Sequence, residues 1–564
     1  MPFMEDAFDF YKSKPWTRNY DEGVPGELDI RTFPLYEILD NHVKTIPSET
    51  AIIFMGRRIT YGELGELSDR FAGGLRRLGV RKGDVVALLL PNSPQFAIAY
   101  FGALKLGAVV TPMNPLYTQR EIDHQIHDSG AKIIVVLDQF YDKVKEANID
   151  IIVTSIADYL PKRLAVAYSI MNRGPRINAH RFKDLIKSEP LRDRVSIDPS
   201  NDLAAIMYTG GTTGIPKGAE ITHANIAANL QQLSAIIQNV ERKANVKRGV
   251  WMGVIPWFHI YGMITVFLDA LYEGGEIVAM PRFNPKEVMS AIEKHRVTLF
   301  HGVPTLYIAL LNSPYASKYD MSSLIACISG AAPLPHEVAE KFEKLTGARL
   351  REGYGMTETA VVTHVNPILG KYKVGSIGVP IPNTIAAIAD PDKPQLLPQG
   401  ETGELVISGP QVMKGYHNMP SDNELVFFQC CGHRWLRTGD LAYMDEEGFF
   451  FIVDRKKDMI KYKGYSVFPR EIEEVLYQNP CVKEAAVVGI PDPVSGEVPK
   501  AFIVLKDECR GKISESDIMD FLKDKVAHYK MPRQVEFRDE LPKTAVGKIL
   551  RRALREEKQR GNHT

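Results

Sequence analysis

Cysteine is scarce and unpatterned in this chain. The five residues, Cys327, Cys430, Cys431, Cys481 and Cys509, form an odd set with no C-x-x-C pair, which argues against a disulfide framework and a zinc cage and points to a reducing, cytoplasmic compartment. Long apolar runs are missing too. None reaches the ~18 to 20 residues of a membrane-spanning helix, and the longest candidate, between 84 and 113, is broken by Pro91, Asn92, Pro94 and Lys105. The opening Met-Pro-Phe-Met-Glu-Asp is acidic where a secretory signal is basic. No sign of charge dominates: 69 Lys and Arg balance 69 Asp and Glu, so net charge implies no nucleic-acid partner.

What is present first indicates architecture. At 564 residues the chain exceeds one core and suits about three or four domain-sized units. Thr60 and Glu63 form a T-x-x-E capping box before Leu64, Leu67, Phe71, Leu75 and Leu78 at helical spacing, with Gly79 as the stop. Short apolar runs at Val85 to Leu90, Ile133 to Leu137 and Leu203 to Met207, separated by helix-length segments, predict a buried, mostly parallel sheet. The stretch from Val86 to Pro115 is echoed by Gly253 to Pro285, each reading strand, Pro-containing turn, apolar helix, Gly, strand. The class is α/β, with two similar α/β subdomains. From about Gly448 the texture becomes that of a small α+β domain, whose helix is capped by Ser514 and Asp517 and carries Ile518, Phe521, Leu522 and Val526 on one face. The five charges of Asp454-Arg455-Lys456-Lys457-Asp458 predict an exposed inter-domain joint.

Chemistry concentrates in Tyr208-Thr-Gly-Gly-Thr-Thr-Gly-Ile-Pro-Lys-Gly218. Thr209, Gly210, Gly211, Thr212, Thr213, Gly214 and Lys217 offer backbone N–H groups, hydroxyls and a cation to a polyphosphate. The loop is not a Walker A, because Ile215 and Pro216 separate Gly214 from Lys217. Four further segments follow in order: Gly353-Tyr-Gly-Met-Thr-Glu358, Arg437-Thr-Gly-Asp440, Asp454-Arg-Lys-Lys-Asp458 and Pro542-Lys-Thr-Ala-Val-Gly-Lys548. Glu358 beside Thr357 is a hard oxygen donor suited to Mg²⁺ held against phosphate. Asp440 can accept two hydrogen bonds from a ribose diol. Arg455 is a forked cation for ribose or phosphate. Lys548 could offset the repulsion between a carboxylate and an α-phosphate. Read singly, Glu358 and Lys548 are solvated helix starts, Asp440 a turn cap, and Arg455 a surface ion pair.

In this order, from Ile59 to Arg552, the segments resemble the adenylate-forming superfamily of acyl-CoA synthetases, luciferases and peptide-synthetase adenylation domains. The resemblance implies a large N-terminal domain over 1–454, comprising the two α/β subdomains and a smaller β subdomain. It also implies a hinge over 455–458 and a mobile C-terminal lid over 459–564. Tyr354 is then expected against adenine, with Gly355 and Thr357 beside it and Gly330, Ala331 and Ala332 opposite. Thr209 and Glu358 are expected to hold Mg²⁺, and Lys548 to act in adenylation. After rotation about Lys457, Lys461 and Gly464 would meet CoA. His259 matches a position that gates the thiol, although a His in so apolar a run is more often a core residue.

The acid pocket implied by the resemblance draws on Gly262, Val303, Ala360 and Val361, among other apolar residues, with few charges. A hydrophobic monocarboxylic acid fits it. Residues 158–176 are similar to an insertion of long-chain enzymes, which favours medium- to long-chain fatty acids. Six Lys or Arg and no acid between Asp158 and Asp184, with an apolar run from Leu164 to Met171, would suit peripheral membrane contact through 159–181 or a plain surface excursion. The expected substrates are thus fatty acid, ATP and CoA. An aryl or cinnamate-like CoA ligase, and an acyl-AMP ligase feeding a carrier protein, remain alternatives. A catalytically dead fatty-acid binder would not need Lys548.

Overall fold

Four sheets organise the described part of the molecule, which in this computed structural model comprises residues 2–171, 179–209, 216–463, 465–492, 494–544 and 547–555. The capping signal at Thr60 opens helix Tyr61–Arg77. Its hydroxyl accepts the Glu63 N–H at 3.1 Å, whereas the Glu63 carboxylate pairs with Arg57 at 2.7 Å instead of closing the box.

The apolar runs become the parallel centre of an eight-stranded sheet: Leu203–Thr209, Val109–Pro112, Val85–Leu89, Ala131–Leu137 and Asp150–Thr154 lie side by side. Such runs are apolar on both faces because helices cover both. The echoing segment builds a nine-stranded sheet, in which Val250–Gly253 pairs in parallel with Glu276–Ala279 as Val85–Leu89 does with Val109–Pro112. One continuous core joins these two sheets to the third, an antiparallel sheet containing Gly403–Ser408, His433–Met444 and Phe450–Arg455.

The fourth sheet has cores of its own, around Ile460, Val487, Ile503 and Leu522 and around Val488, Phe502 and Leu554. Its helix Glu515–Leu522 is capped reciprocally by Ser514 and Asp517 and buries Ile518 and Leu522, while Val526 lies past its end. Here the cysteine reading is corrected. Hairpin register sets Val482 opposite Leu505, so Cys481 faces the turn Asp507–Cys509, and Cys481 and Cys509 are joined in a disulfide with a Cα separation of 5.5 Å. Cys327, Cys430 and Cys431 are free thiols.

The charged joint is also corrected. Lys457 is exposed, but Asp454 and Asp458 are 3% and 4% exposed. Their charges are buried because partners meet them: Asp454 accepts the N–H groups of Arg455 and Arg470 at 2.7 and 2.9 Å, and Asp458 pairs with Arg551 and Arg555 at 3.4 and 3.0 Å. Helix Lys162–Met171 projects Leu164 and Val166 outward, 49% and 62% exposed. Among the described residues, no helix is long and apolar enough to cross a membrane.

Candidate active site

A single cleft of about 2590 Å³ runs between the large N-terminal part and the fourth sheet. Its first wall is the hairpin of Leu203–Thr209 and Lys217–Thr222, in which Thr209 pairs with Lys217. The loop between them, with Gly210, Gly211, Thr212, Thr213 and Gly214, lies outside the described residues, as does Gly464. The Thr209 hydroxyl donates to the Lys217 carbonyl at 3.4 Å. Lys217 pairs with Asp422, its ammonium 5.2 Å from the Tyr416 ring centroid.

Tyr416 was not legible as a site residue in the sequence. It is carried by the two-residue strand Gly415–Tyr416 at the edge of the same sheet, and its hydroxyl donates to Glu358 at 2.6 Å. Burial, then the Glu358 charge, push the Tyr416 phenol far up, so it stays a donor. Glu358 sits on the turn Thr357–Thr359 and is buried, not a solvated helix start. Among the described residues, its second carboxylate oxygen has no protein hydrogen bond, and Thr209, Thr357 and Glu358 all line the cleft.

Strand pairing then assembles the second wall. Register sets Asp440 opposite Arg455. One Asp440 oxygen lies 3.3 Å from Arg455 Nε, and the other accepts the Tyr354 hydroxyl at 2.6 Å. Tyr354 and Gly355 lie on Arg349–Met356, and Gly330, Ala331 and Ala332 follow Ala326–Ser329, the neighbouring strand. All five line the cleft, and Ala331 holds a left-handed φ of 66°. Glu352, unpredicted, lines it too. Its carboxyl is pushed up to about 7 by burial and accepts the Leu334 N–H at 3.2 Å.

Lys548 comes from the fourth-sheet unit. Its loop is closed by Thr544 N–H to Lys548 carbonyl at 2.8 Å and Lys548 N–H to Thr544 Oγ1 at 3.1 Å. Gly547 has φ +75°, and a Cβ there would lie 2.7 Å from Thr305 Oγ1 and 3.5 Å from Val303 Cγ2. Only glycine lets this loop seat against the N-terminal part. Desolvation, then the Arg455 charge, push the Lys548 ammonium down to about 7. The same lysine helps depress His259, held near 4 mainly by burial. His259 Nδ1 accepts the Tyr261 N–H at 3.2 Å, leaving the neutral ring's proton on Nε2, and the ring lines the cleft rather than the core. Lys457 lines the cleft as well. Lys461 does not; it is exposed, with its N–H bonded to Glu497 at 2.9 Å.

Beyond His259 the cleft continues as an apolar limb between helix His223–Lys243 and the π-helical Met263–Leu268, lined by Leu233, Ile236, Ile237 and Thr265. Of the expected acid-pocket residues Val361, Val362 and Ile328 line the cleft, Val361 at a left-handed φ of 93° that is costly for a β-branched side chain. Gly262, Val303 and Ala360 are not among its lining residues. Gly262 is pressed on the Pro256 carbonyl, where a Cβ would come within 2.3 Å. Val303 packs below the Gly547 loop, and Ala360 is fully buried behind Val361. Nothing in the periodicity of helix His223–Lys243 distinguished its cavity-facing turn from its core-facing ones.

The family comparison agrees with this geometry. The profile of AMP-binding enzymes matches residues 39–417, and that of the AMP-binding enzyme C-terminal domain matches 471–548. The chain is similar to a long-chain-fatty-acid–CoA ligase of Bacillus subtilis, 43% identical over 98% of this chain and 99% of the relative. Its counterpart in Escherichia coli O6:H1 is 39% identical over 96% and 98%. Among solved structures, ATP-bound MatB from Rhodopseudomonas palustris superposes with a TM-score of 0.81 at 29% identity, covering 93% of this chain and 99% of that one. A Mycobacterium tuberculosis fatty acyl CoA synthetase does so with 0.70 at 28% identity, covering 94% and 99%. The chain belongs to the AMP-binding enzymes of the adenylate-forming superfamily.

Proposed function

We propose that the protein is a cytoplasmic ATP- and Mg²⁺-dependent fatty acyl-CoA synthetase. In the first half-reaction a fatty acid carboxylate attacks the α-phosphorus of ATP, giving acyl-adenylate and pyrophosphate. In the second, the CoA thiol attacks the acyl carbon and AMP leaves. The observation that carries this reading is one cleft holding Lys548, the Asp440–Arg455–Tyr354 group and Glu358, and continuing into the limb of Leu233, Ile236 and Ile237. Four long-chain-fatty-acid–CoA ligases at 38–43% identity support it.

Each residue's part follows from its chemistry. Asp440 and Arg455 take the ribose hydroxyls, and Tyr354 packs against adenine opposite Gly330, Ala331 and Ala332. The loop from Thr209 to Lys217 holds the β- and γ-phosphates. Glu358, with an oxygen left open by Tyr416, and the Thr209 hydroxyl form a hard oxygen donor set that fits Mg²⁺. When bound, that ion supplies charge neutralisation at the phosphates. Lys548 bridges the acid carboxylate and the α-phosphate, two anions that repel strongly in a partly desolvated site. Residues 1–454 act as the adenylation domain and 459–564 as a lid turning about 455–458 at Lys457, which withdraws Lys548 and brings Lys461 and Gly464 to the thiol. His259 lies on the thiol's approach.

The apolar limb favours medium- to long-chain acids, since each buried methylene contributes about 0.8 kcal/mol. AMP release with Mg-ATP and CoA across straight-chain acids from acetate to palmitate, with benzoate and cinnamate, tests the reading. A CoA-dependent maximum among medium or long chains is expected. Activity confined to aryl acids would replace it with an aryl-CoA ligase, and adenylate without thioester would indicate a carrier-protein acceptor. The exposed Leu164 and Val166 support peripheral membrane contact through 159–181. Cosedimentation with anionic vesicles is then expected, and absence of binding at any salt would remove it.

A further inference from the structure

The residues lining the cleft beyond His259 include a charged type, Asp269, which an alkyl tail has no use for. Tyr261, Thr265 and Asp269 project into it from successive turns of one continuous helical stretch spanning Ile260–Tyr272. The Thr265 hydroxyl is already spent on the Tyr261 carbonyl at 2.8 Å. Asp269 is 1% exposed; one carboxyl oxygen accepts the Trp251 indole N–H at 3.2 Å, and the other is buried with no hydrogen-bond partner. Asp269 lines the cleft, and a buried polar atom left unpaired there calls for a partner.

We propose, resting on the acyl-CoA synthetase reading, that Asp269 is a specificity-determining residue which marks the far end of the acyl site and selects a tail carrying a hydroxyl at that depth. The surroundings decide which form of Asp269 is present. Burial and the nearby Glu273 and Glu241 carboxylates raise its pKa well above the ordinary value, and burial with Glu273 likewise raises Glu241 to about 7. These causes favour the neutral carboxyl. With its carbonyl oxygen held by Trp251, it has an O–H donor left on the other oxygen, which the hydroxyl of a tail can accept.

Position sets the length. His259 and Tyr261 stand at the reacting end beside Lys548 and the wall of Gly330. Eight residues from Tyr261 to Asp269 at about 1.5 Å each span about 12 Å. A zigzag alkyl chain rises about 1.3 Å per carbon, so a hydroxyl on a tail of roughly ten to twelve carbons reaches Asp269. A methyl end at the same depth leaves the carboxyl unpaired, which discriminates by roughly ten- to a hundredfold.

The test measures kcat/KM for ω-hydroxy acids against the matching unsubstituted acids over roughly eight to sixteen carbons. The hydroxy-to-methyl ratio should peak at one intermediate length in the unmodified enzyme. In Asp269→Leu that peak should collapse by roughly tenfold or more, through a fall for the hydroxy acid and a rise for the methyl-ended acid of that length, and Asp269→Asn, which can still accept from Trp251, should retain part of it. A ratio that is flat or falls monotonically with length in the unmodified enzyme overturns the proposal without recourse to a variant. So does a peak that persists in Asp269→Leu. Absence of thioester from every acid would instead overturn the acyl-CoA reading itself.

Discussion

Replacing Lys548 with alanine should separate the two half-reactions. Its ammonium is the cation that the fourth-sheet unit brings into the cleft beside His259, while Arg455 remains anchored on Asp440 at 3.3 Å and cannot follow the reacting carboxylate. Two unit charges about 4 Å apart at an effective dielectric near 20 interact by about 4 kcal/mol. Losing that in the adenylation transition state costs about a thousandfold in rate. Pyrophosphate exchange with laurate should fall by that factor, whereas conversion of supplied lauroyl-adenylate to lauroyl-CoA should stay within about threefold. The fold should not suffer. The Lys548 pKa is depressed from 10.5 to about 7 in the native protein, so between those values the unfolded chain binds more protons and native stability rises with pH. Lys548→Ala should lack that rise and should not lower Tm at neutral pH. Equal loss of both half-reactions, or a destabilised variant, would refute the reasoning.

Four other outcomes follow from the same geometry. Gly547→Ala puts a Cβ within 2.7 Å of Thr305 Oγ1 at φ +75°; it should slow pyrophosphate exchange about tenfold or more and spare thioester formation from adenylate. Tyr416→Phe removes the hydrogen bond to Glu358, and the KM for Mg-ATP should rise about tenfold, as expected for a charge-assisted bond. Lys457→Pro, which fixes one backbone dihedral of the joint, should leave adenylation intact and slow thioesterification, read by single-turnover kinetics; unchanged turnover would count against hinge motion. With Lys548 near 7 in the free enzyme, kcat/KM for ATP should decline as pH rises through that value, and the decline should vanish in Lys548→Ala.

The sequence disclosed the parts whose signal is local. A hydroxyl before a helical repeat marked helix Tyr61–Arg77, and doubly apolar runs marked the parallel strands. The order of short motifs singled out Tyr354, Glu358, Asp440, Arg455 and Lys548, which the structure brings to one cleft. What stayed hidden depends on contacts across sheets. Tyr416 reaches Glu358 only because a two-residue strand adds to a distant hairpin. Asp454 and Asp458 read as exposed because groups that meet them, the Arg470 N–H for Asp454 and the Arg551 and Arg555 side chains for Asp458, lie further along the chain. The acyl limb is the sharpest case. Gly262, Val303 and Ala360 are apolar as a pocket requires, yet they do not line the cleft, whereas Leu233, Ile236 and Ile237 do so from one turn of a helix whose other turns are core. Apolar character alone does not tell a cavity wall from packed interior. The disulfide of Cys481 and Cys509 arises from hairpin register, which residue counting does not reveal.

The most direct test of the central claim is product stoichiometry with laurate, Mg-ATP and CoA, followed by mass spectrometry. Equimolar lauroyl-CoA, AMP and pyrophosphate, with no turnover when CoA is omitted beyond a single enzyme-bound adenylate, is the predicted result. Formation of ADP, or thioester formation indifferent to ATP, would contradict the account.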